Sequence, residues 1–244
     1  MVILIGETMC SGATRAVLCF VAAFFAQICF RNGRKMKNFI TFEGCDGVGK
    51  TYQIRKLREF CEQHNMDNVV FTREPGGSAI AEQIRNIILD AGNTEMDDLC
   101  EAFLYAAARI QHLHDIVRPA LSQGKVVFCD RFVHSSYTYQ GLGRGLGYDR
   151  IVALNQLAVG DCMPQFTVFL NLSPEQAFLR KGGADKSDRL EMVNLDFHKR
   201  VYQGYLDVIA ANPSAFEVID ASGTAEETQQ LIRQALVRRG VFQC

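Results

Sequence analysis

Residues 44–51 read GCDGVGKT, a complete G-x-x-x-x-G-K-T pattern. The pattern constrains the fold because it works only as a turn between a buried strand and the opening of a helix. Both neighbours are there. Residues 38–42 (NFITF) form an apolar run into the turn, and residues 50–64 carry Ile54, Leu57 and Cys61 at helical spacing. Gly44, Gly47 and Gly49 let the backbone turn tightly, so that successive amides, including those of Cys45, Asp46 and Val48, converge on phosphate oxygens. The helix start adds its positive dipole end. Lys50 is placed to neutralise the β- and γ-phosphates and Thr51 to hold Mg²⁺. The pattern predicts a nucleoside triphosphate site without saying what is done with the nucleotide.

Strand and helix patterns alternate through the rest of the chain, which predicts a five-stranded parallel sheet covered on both faces, a three-layer α/β/α fold. The further strands are residues 68–72 (NVVFT), 125–129 (KVVFC), 166–170 (FTVFL) and 216–219. Ile80, Ile84, Ile87 and Ile88 predict one apolar face of a helix, and a long helical stretch is expected over 98–122. Leu190, Val193, Phe197, Val201, Tyr205 and Val208 form a stripe at three- and four-residue steps, and Leu231, Ile232, Ala235 and Leu236 mark the last helix. A chain of 244 residues without repeats fits one domain. Its net charge of -1 gives no support to a nucleic-acid or anionic-membrane surface. Nine irregularly spaced cysteines without a CxxC pair argue against a disulfide framework and for a reducing, cytoplasmic setting.

Residues 1–35 stand apart. The run AVLCFVAAFFAQICF at 16–30, flanked by Arg15, Arg31, Arg34 and Lys35, is short for a membrane span and interrupted by Gln27. It has the apolar length of a secretory signal but no clear small-residue cleavage site. The favoured reading is that translation begins at Met36, or that the extension lies outside a catalytic domain spanning 36–244; an organellar transit peptide stays open.

Three more segments narrow the class: FTREPGG at 71–77, EAFLYAAARIQH at 101–112 and DRFVHSSYTYQGLGRG at 130–145. Arg73 and Arg131 follow the second and third strands, whose ends open on the same crevice as the phosphate loop. Arginine suits phosphate because its planar fork can bind two oxygens. Asp130 falls where such enzymes place a magnesium-associated carboxylate. Tyr105 and Arg109 are one turn apart and share a helix face.

Together with the phosphate loop, these segments resemble thymidylate kinases in order and spacing from Met36 to the last helix. The resemblance implies that ATP and dTMP are the substrates and Mg²⁺ the cofactor. By the same resemblance Arg73 and Arg131 bind the dTMP phosphate, and Tyr105 stacks on thymine with Arg109 at its polar edge or the phosphate. Asp46 accepts from the sugar 3′-hydroxyl and helps organise Mg²⁺. Ser135, Tyr139 and Gln140 surround the nucleotide, with Tyr139 guarding against a 2′-hydroxyl. Gln111 and His112 are secondary candidates for the base edge. The family also implies a homodimer.

Residues 178–191 (FLRKGGADKSDRLE) place Arg180, Lys181, Lys186 and Arg189 around Gly182-Gly183, the composition of a closing lid. Some relatives carry an arginine inside the phosphate loop where this chain has Gly47; others bring the cation from the lid. This chain matches the second pattern, with Arg180 and Arg189 as candidates. One departure is Tyr52, where relatives commonly have a second hydroxyl residue after Thr51. Two rivals stay open: a kinase of deoxynucleosides, UMP or CMP, and a membrane-anchored ATP-binding or signalling protein.

Overall fold

The computed structural model describes residues 35–181 and 194–242. Five parallel strands form one sheet: β1 (Lys35–Glu43), β2 (Val69–Arg73), β3 (Val126–Asp130), β4 (Met163–Asn171) and β5 (Phe216–Asp220), in the order β2-β3-β1-β4-β5. β1 is central because its second half is buried on both sides, pairing Phe39 with Val127 and Ile40 with Phe166. Asn38, at φ 67°, sits where the register with β4 shifts, which lets Lys35 and Met36 pair with Met163 and Pro164.

Alternate residues of each strand face opposite layers. On one face Ile40, Phe42, Phe128 and Phe166 pack with Leu57 of α1 (Lys50–Gln63), Val201 of α8 (Leu195–Ala211) and Leu236 of α9 (Ala225–Arg238). On the other, Phe39, Val127 and Cys129 pack with Ala102 of α3 (Asp98–His112), Val133 of α5 (Val133–Ser136) and Ile151 of α6 (Tyr148–Val159). The expected three layers and five parallel strands are both present.

The long helical stretch is there, but not as one α-helix. α3 runs into a π segment (Leu113–Val117) and then α4 (Arg118–Ser122). Pro119 at the start of α4 lacks the N–H of a regular turn, and the widened π turn stands just before it. Two expected stripes are narrower than the sequence suggested. On α2 (Ala79–Leu89) Ile88 is buried, while Ile80 and Ile87 are about half exposed, at 51% and 49%. On α9 Leu231 is exposed, beside buried Ile232, Ala235 and Leu236. A four-position apolar face on a short helix is wider than α3, the helix it chiefly packs on, can cover. α6, the second π segment (Tyr137–Gly143) and α7 (Pro174–Lys181) complete the fold. Leu190 and Val193 lie outside the described residues. Among the described residues no helix is long and apolar enough to cross a membrane.

Candidate active site

The strand order reverses at β1, so the carboxyl ends of β1, β2 and β3 open on one crevice, the usual ligand position in an open α/β sheet. A cavity of about 520 Å³ occupies it. Its wall is built from the loop after β1 (Asp46, Gly47, Gly49, Lys50, Thr51), the end of β2 (Arg73) and the end of β3 (Asp130, Arg131).

The phosphate loop is folded as the glycines require. Gly44, Gly47 and Gly49 have φ of 145°, 83° and 96°, and a Cβ on Gly44 would stand 2.9 Å from the Leu170 carbonyl. Gly49 caps α1 without a side-chain hydrogen bond, leaving the amides of that helix end to a ligand. Cys45 and Val48 turn into the core. The Lys50 ammonium donates to the carbonyls of Gly44 and Cys45 at 2.9 and 2.8 Å. Burial, with Arg131 nearby, pushes it down to about 8 against the pull of Asp46 and Asp130. The Thr51 hydroxyl donates to Asp130 Oδ2 at 3.3 Å, and Asp130 Oδ1 is buried without a hydrogen-bond partner among the described residues.

Arg131 is tied into this loop. Its guanidinium donates to the Gly44 carbonyl at 3.2 Å, to Ser135 Oγ at 3.1 Å, to the Tyr139 hydroxyl at 3.3 Å and to Asp46. Tyr139 in turn donates to Asp46 Oδ2 at 2.8 Å. Burial works to raise the Asp46 carboxyl, but Arg131 and Lys50 hold it well below the usual carboxylate range. Arg73 stands half exposed, its Nη2 shared between the two Glu82 oxygens at 2.9 Å. Its Nε and Nη1 donate to nothing among the described residues.

Tyr105 and Arg109 both line the cavity from α3, as does Gln140 from the second π segment. Gln140 is buried and donates to Glu101 at 2.8 Å. Ser135 donates to Glu43 at 2.6 Å from its hydroxyl and 3.1 Å from its amide. Three candidates stand elsewhere. Gln111 is not on the cavity wall and donates to Asp115 at 2.9 Å. His112 is fully buried against Glu74 and does not reach the cavity wall. Arg180 donates to the carbonyls of Ala221, Ser222 and Gly223, satisfying the turn after β5 and not the cleft. Arg189, Lys186 and the Lys181 side chain lie outside the described residues.

Comparison with known proteins decides the family. A family model described as thymidylate kinase matches residues 42–232. The chain belongs to the thymidylate kinase family. It is 46% identical over 199 residues to a thymidylate kinase of Symbiobacterium thermophilum, covering 82% of this chain and 92% of the relative. A thymidylate kinase of Finegoldia magna is 44% identical over 204 residues, covering 84% of this chain and all of its own length. The crystal structure of thymidylate kinase from Ehrlichia chaffeensis has a TM-score of 0.66 at 34% identity, covering 81% of this chain and 97% of that one. Members of the family are nucleoside-monophosphate kinases, in keeping with a phosphate loop facing arginines across one cavity.

Sequence patterns did not mark the buried acids that hold these groups. Glu43, fully buried on β1, accepts from the Phe132 amide at 2.9 Å, from Ser135 and from the Tyr205 hydroxyl at 2.7 Å. Burial raises its carboxyl, with Arg131 and these donors opposing. Glu74, also buried, takes Arg109. An acid at the end of an otherwise apolar strand, as at Glu43, was the one signal that could have found it.

Proposed function

We propose that this chain transfers the γ-phosphate of ATP to dTMP, giving dTDP and ADP, as a step of nucleotide biosynthesis. The observation that carries the reading is the meeting of Lys50, Arg73 and Arg131 on one cavity. Two anionic nucleotides can approach only where cations line both sides. The loop of Gly44 to Thr51 and Lys50 hold the triphosphate, and Arg73 and Arg131 hold the acceptor phosphate. Tyr105 offers its ring to thymine, Arg109 lies beside it, and Ser135 and Gln140 complete the acceptor wall. Tyr139, buried and hydrogen-bonded to Asp46, is the guard against a 2′-hydroxyl, while Asp46 is the acceptor for the 3′-hydroxyl.

Thr51 and Asp130 would hold Mg²⁺; the orphaned Asp130 Oδ1 fits such a partner, and one carboxylate plus one hydroxyl suits an ion that keeps phosphate and water ligands. Mg²⁺, when bound, neutralises developing charge on the phosphates. Transfer is direct and in line. An ionised oxygen of the dTMP phosphate forms the new P–O bond as the bond from the γ-phosphorus to the β–γ bridging oxygen breaks and ADP departs. No general base is needed. A cation from residues 178–191, with Arg189 as the candidate, completes the site, and closure there keeps water from the γ-phosphate.

Residues 36–244 form the catalytic domain, working in the cytoplasm as a homodimer. Half-exposed Ile80, Ile87, Phe103 and Ile110 on the neighbouring helices α2 and α3, with Leu157 on α6, support pairing of two copies. Sedimentation of Phe103→Glu should give a monomer where the parent chain gives a dimer. Acceptor profiling tests the reaction: dTMP should be turned over well ahead of dUMP, UMP and CMP, and equal rates would reject thymidylate preference. Mass spectrometry of the native N-terminus tests a start at Met36.

A further inference from the structure

Arg109 leads the largest side chains that are fully buried, and it is buried at the wall of the cavity. Its Nε donates to Glu74 Oε2 at 2.8 Å, its Nη1 to Ser136 Oγ at 3.1 Å and to Asn155 Oδ1. The guanidinium carbon stands 5.2 Å over the Phe132 ring. A guanidinium carries five N–H groups in one rigid plane. The single hydrogen on Nε and the two on Nη1 are all placed by these contacts. Nη2 makes no hydrogen bond among the described residues, so this buried cation is fixed on two sides and bare on the third.

Glu74 fixes it because Glu74 itself cannot turn. Its other oxygen, Oε1, faces His112 Nδ1 at 2.8 Å, and a carboxylate only accepts, so the Nδ1 proton lies between them. His112 Nε2 meets the Thr72 hydroxyl at 2.7 Å. The ring is held on its remaining edge by Gly77, where an added Cβ would lie 2.7 Å from both His112 Cδ2 and Thr72 Oγ1. Thr72, His112, Glu74 and Arg109 thus link the end of β2 to α3 through one chain of contacts.

We propose that Glu74 is the positioning residue of the acceptor side, holding the plane of Arg109 so that Nη2 alone is offered to an oxygen of the bound monophosphate. It acts through Arg109 and sets acceptor affinity, leaving the triphosphate side untouched. The inference rests on the reading of the cavity as a monophosphate site. In Glu74→Gln the amide oxygen can still take Arg109 Nε, and His112 can meet the amide nitrogen by shifting its proton to Nε2, toward Thr72. That variant keeps the contacts and loses the charge. Glu74→Ala removes both.

The test is calorimetric titration of dTMP and, separately, of ATP into the full chain and both variants, with steady-state KM values for each nucleotide. Losing a hydrogen bond between charged partners should weaken dTMP about tenfold or more in Glu74→Ala. In Glu74→Gln, where only the charge assistance goes, dTMP should weaken about threefold. ATP affinity should stay within about twofold in both, since no contact on the Lys50 side changes. A general loss of structure would weaken both nucleotides together. Unchanged dTMP binding in Glu74→Ala, or parallel loss of dTMP and ATP, overturns the assignment; should Glu74→Ala not fold, the same two outcomes in Glu74→Gln decide it. If the unaltered chain binds no dTMP, the functional reading fails and this inference with it, whereas tight dTMP binding by chain and variants alike sinks Glu74 alone.

Discussion

Arg131 has a left-handed backbone at φ 66°, a conformation that costs a side-chain-bearing residue about 1–3 kcal/mol. It is kept there by its amide, which donates to the Phe42 carbonyl at 2.9 Å, and by a guanidinium that reaches Gly44, Asp46, Ser135 and Tyr139 together. A lysine brings the charge but one nitrogen. Arg131→Lys should therefore fold and lose about 10²-fold in kcat, read by steady-state kinetics; full activity would remove Arg131 from the transfer step. At this scale the cations were legible and their supports were not. Lys50 and Thr51 belong to a pattern with fixed spacing, and Arg73 and Arg131 stand just past apolar strands. Glu43 immediately precedes the phosphate loop and Glu74 lies inside FTREPGG, where both look like ordinary polar neighbours. What makes them matter is burial against Tyr205, Ser135, His112 and Arg109, which only the folded chain brings near. Arg180 illustrates the converse, since a cation in a basic segment could equally serve carbonyls of a nearby turn, and here it does.

Between elements, the second π segment and α8 approach closely at two glycines. A Cβ on Gly143 would lie 2.8 Å from both Phe197 Cε2 and Val201 Cγ2, and one on Gly204 would lie 2.7 Å from Leu142 Cδ1. The two glycines let α8 close over the segment that carries Tyr139 and Gln140. Gly143→Ala should destabilise the fold by about 1–3 kcal/mol through overpacking, measured by urea unfolding, and a loss near zero would mean the contact is slack. Periodicity revealed every strand and the full 98–122 helical stretch, because exposed loops rarely sustain long apolar patterns. It did not reveal the π turns, which depend on local crowding, as at Pro119. Nor did it find α6, which follows a glycine-rich run and buries only Ile151, Asn155, Ala158 and Val159. Ile80 and Ile87 carried a helical period yet stand exposed, since periodicity reports a face and not what covers it.

For the molecule as a whole, buried His134 is a source of acid sensitivity distinct from the Asp46 carboxyl in the cleft. His134 lies between Phe216 and Tyr137, its Nδ1 3.2 Å from the Thr167 hydroxyl. Burial, with Arg109 and Lys35 nearby, pushes it from 6.5 down to about 3. Between those values the unfolded chain binds a proton that the native ring refuses, so stability rises with pH and falls on acidification. The contribution is at most about 1.4 kcal/mol per pH unit, and it ends once pH drops below the native value. Urea unfolding from neutral pH downward should show this slope, and His134→Asn should flatten it; an equal slope in the variant would place the proton uptake elsewhere. The global architecture was the easiest layer to read in the sequence, because a phosphate loop between strand and helix admits few sheets. The central claim is chemical, that the Lys50 loop and the two arginine-bearing strand ends bring a second nucleotide to ATP. It is tested most directly by following ADP and dTDP formation by the purified chain with ATP and Mg²⁺, with and without dTMP. One dTDP for each ADP, with negligible ADP when dTMP is withheld, is the predicted result; ADP release that proceeds at the same rate without dTMP would contradict it.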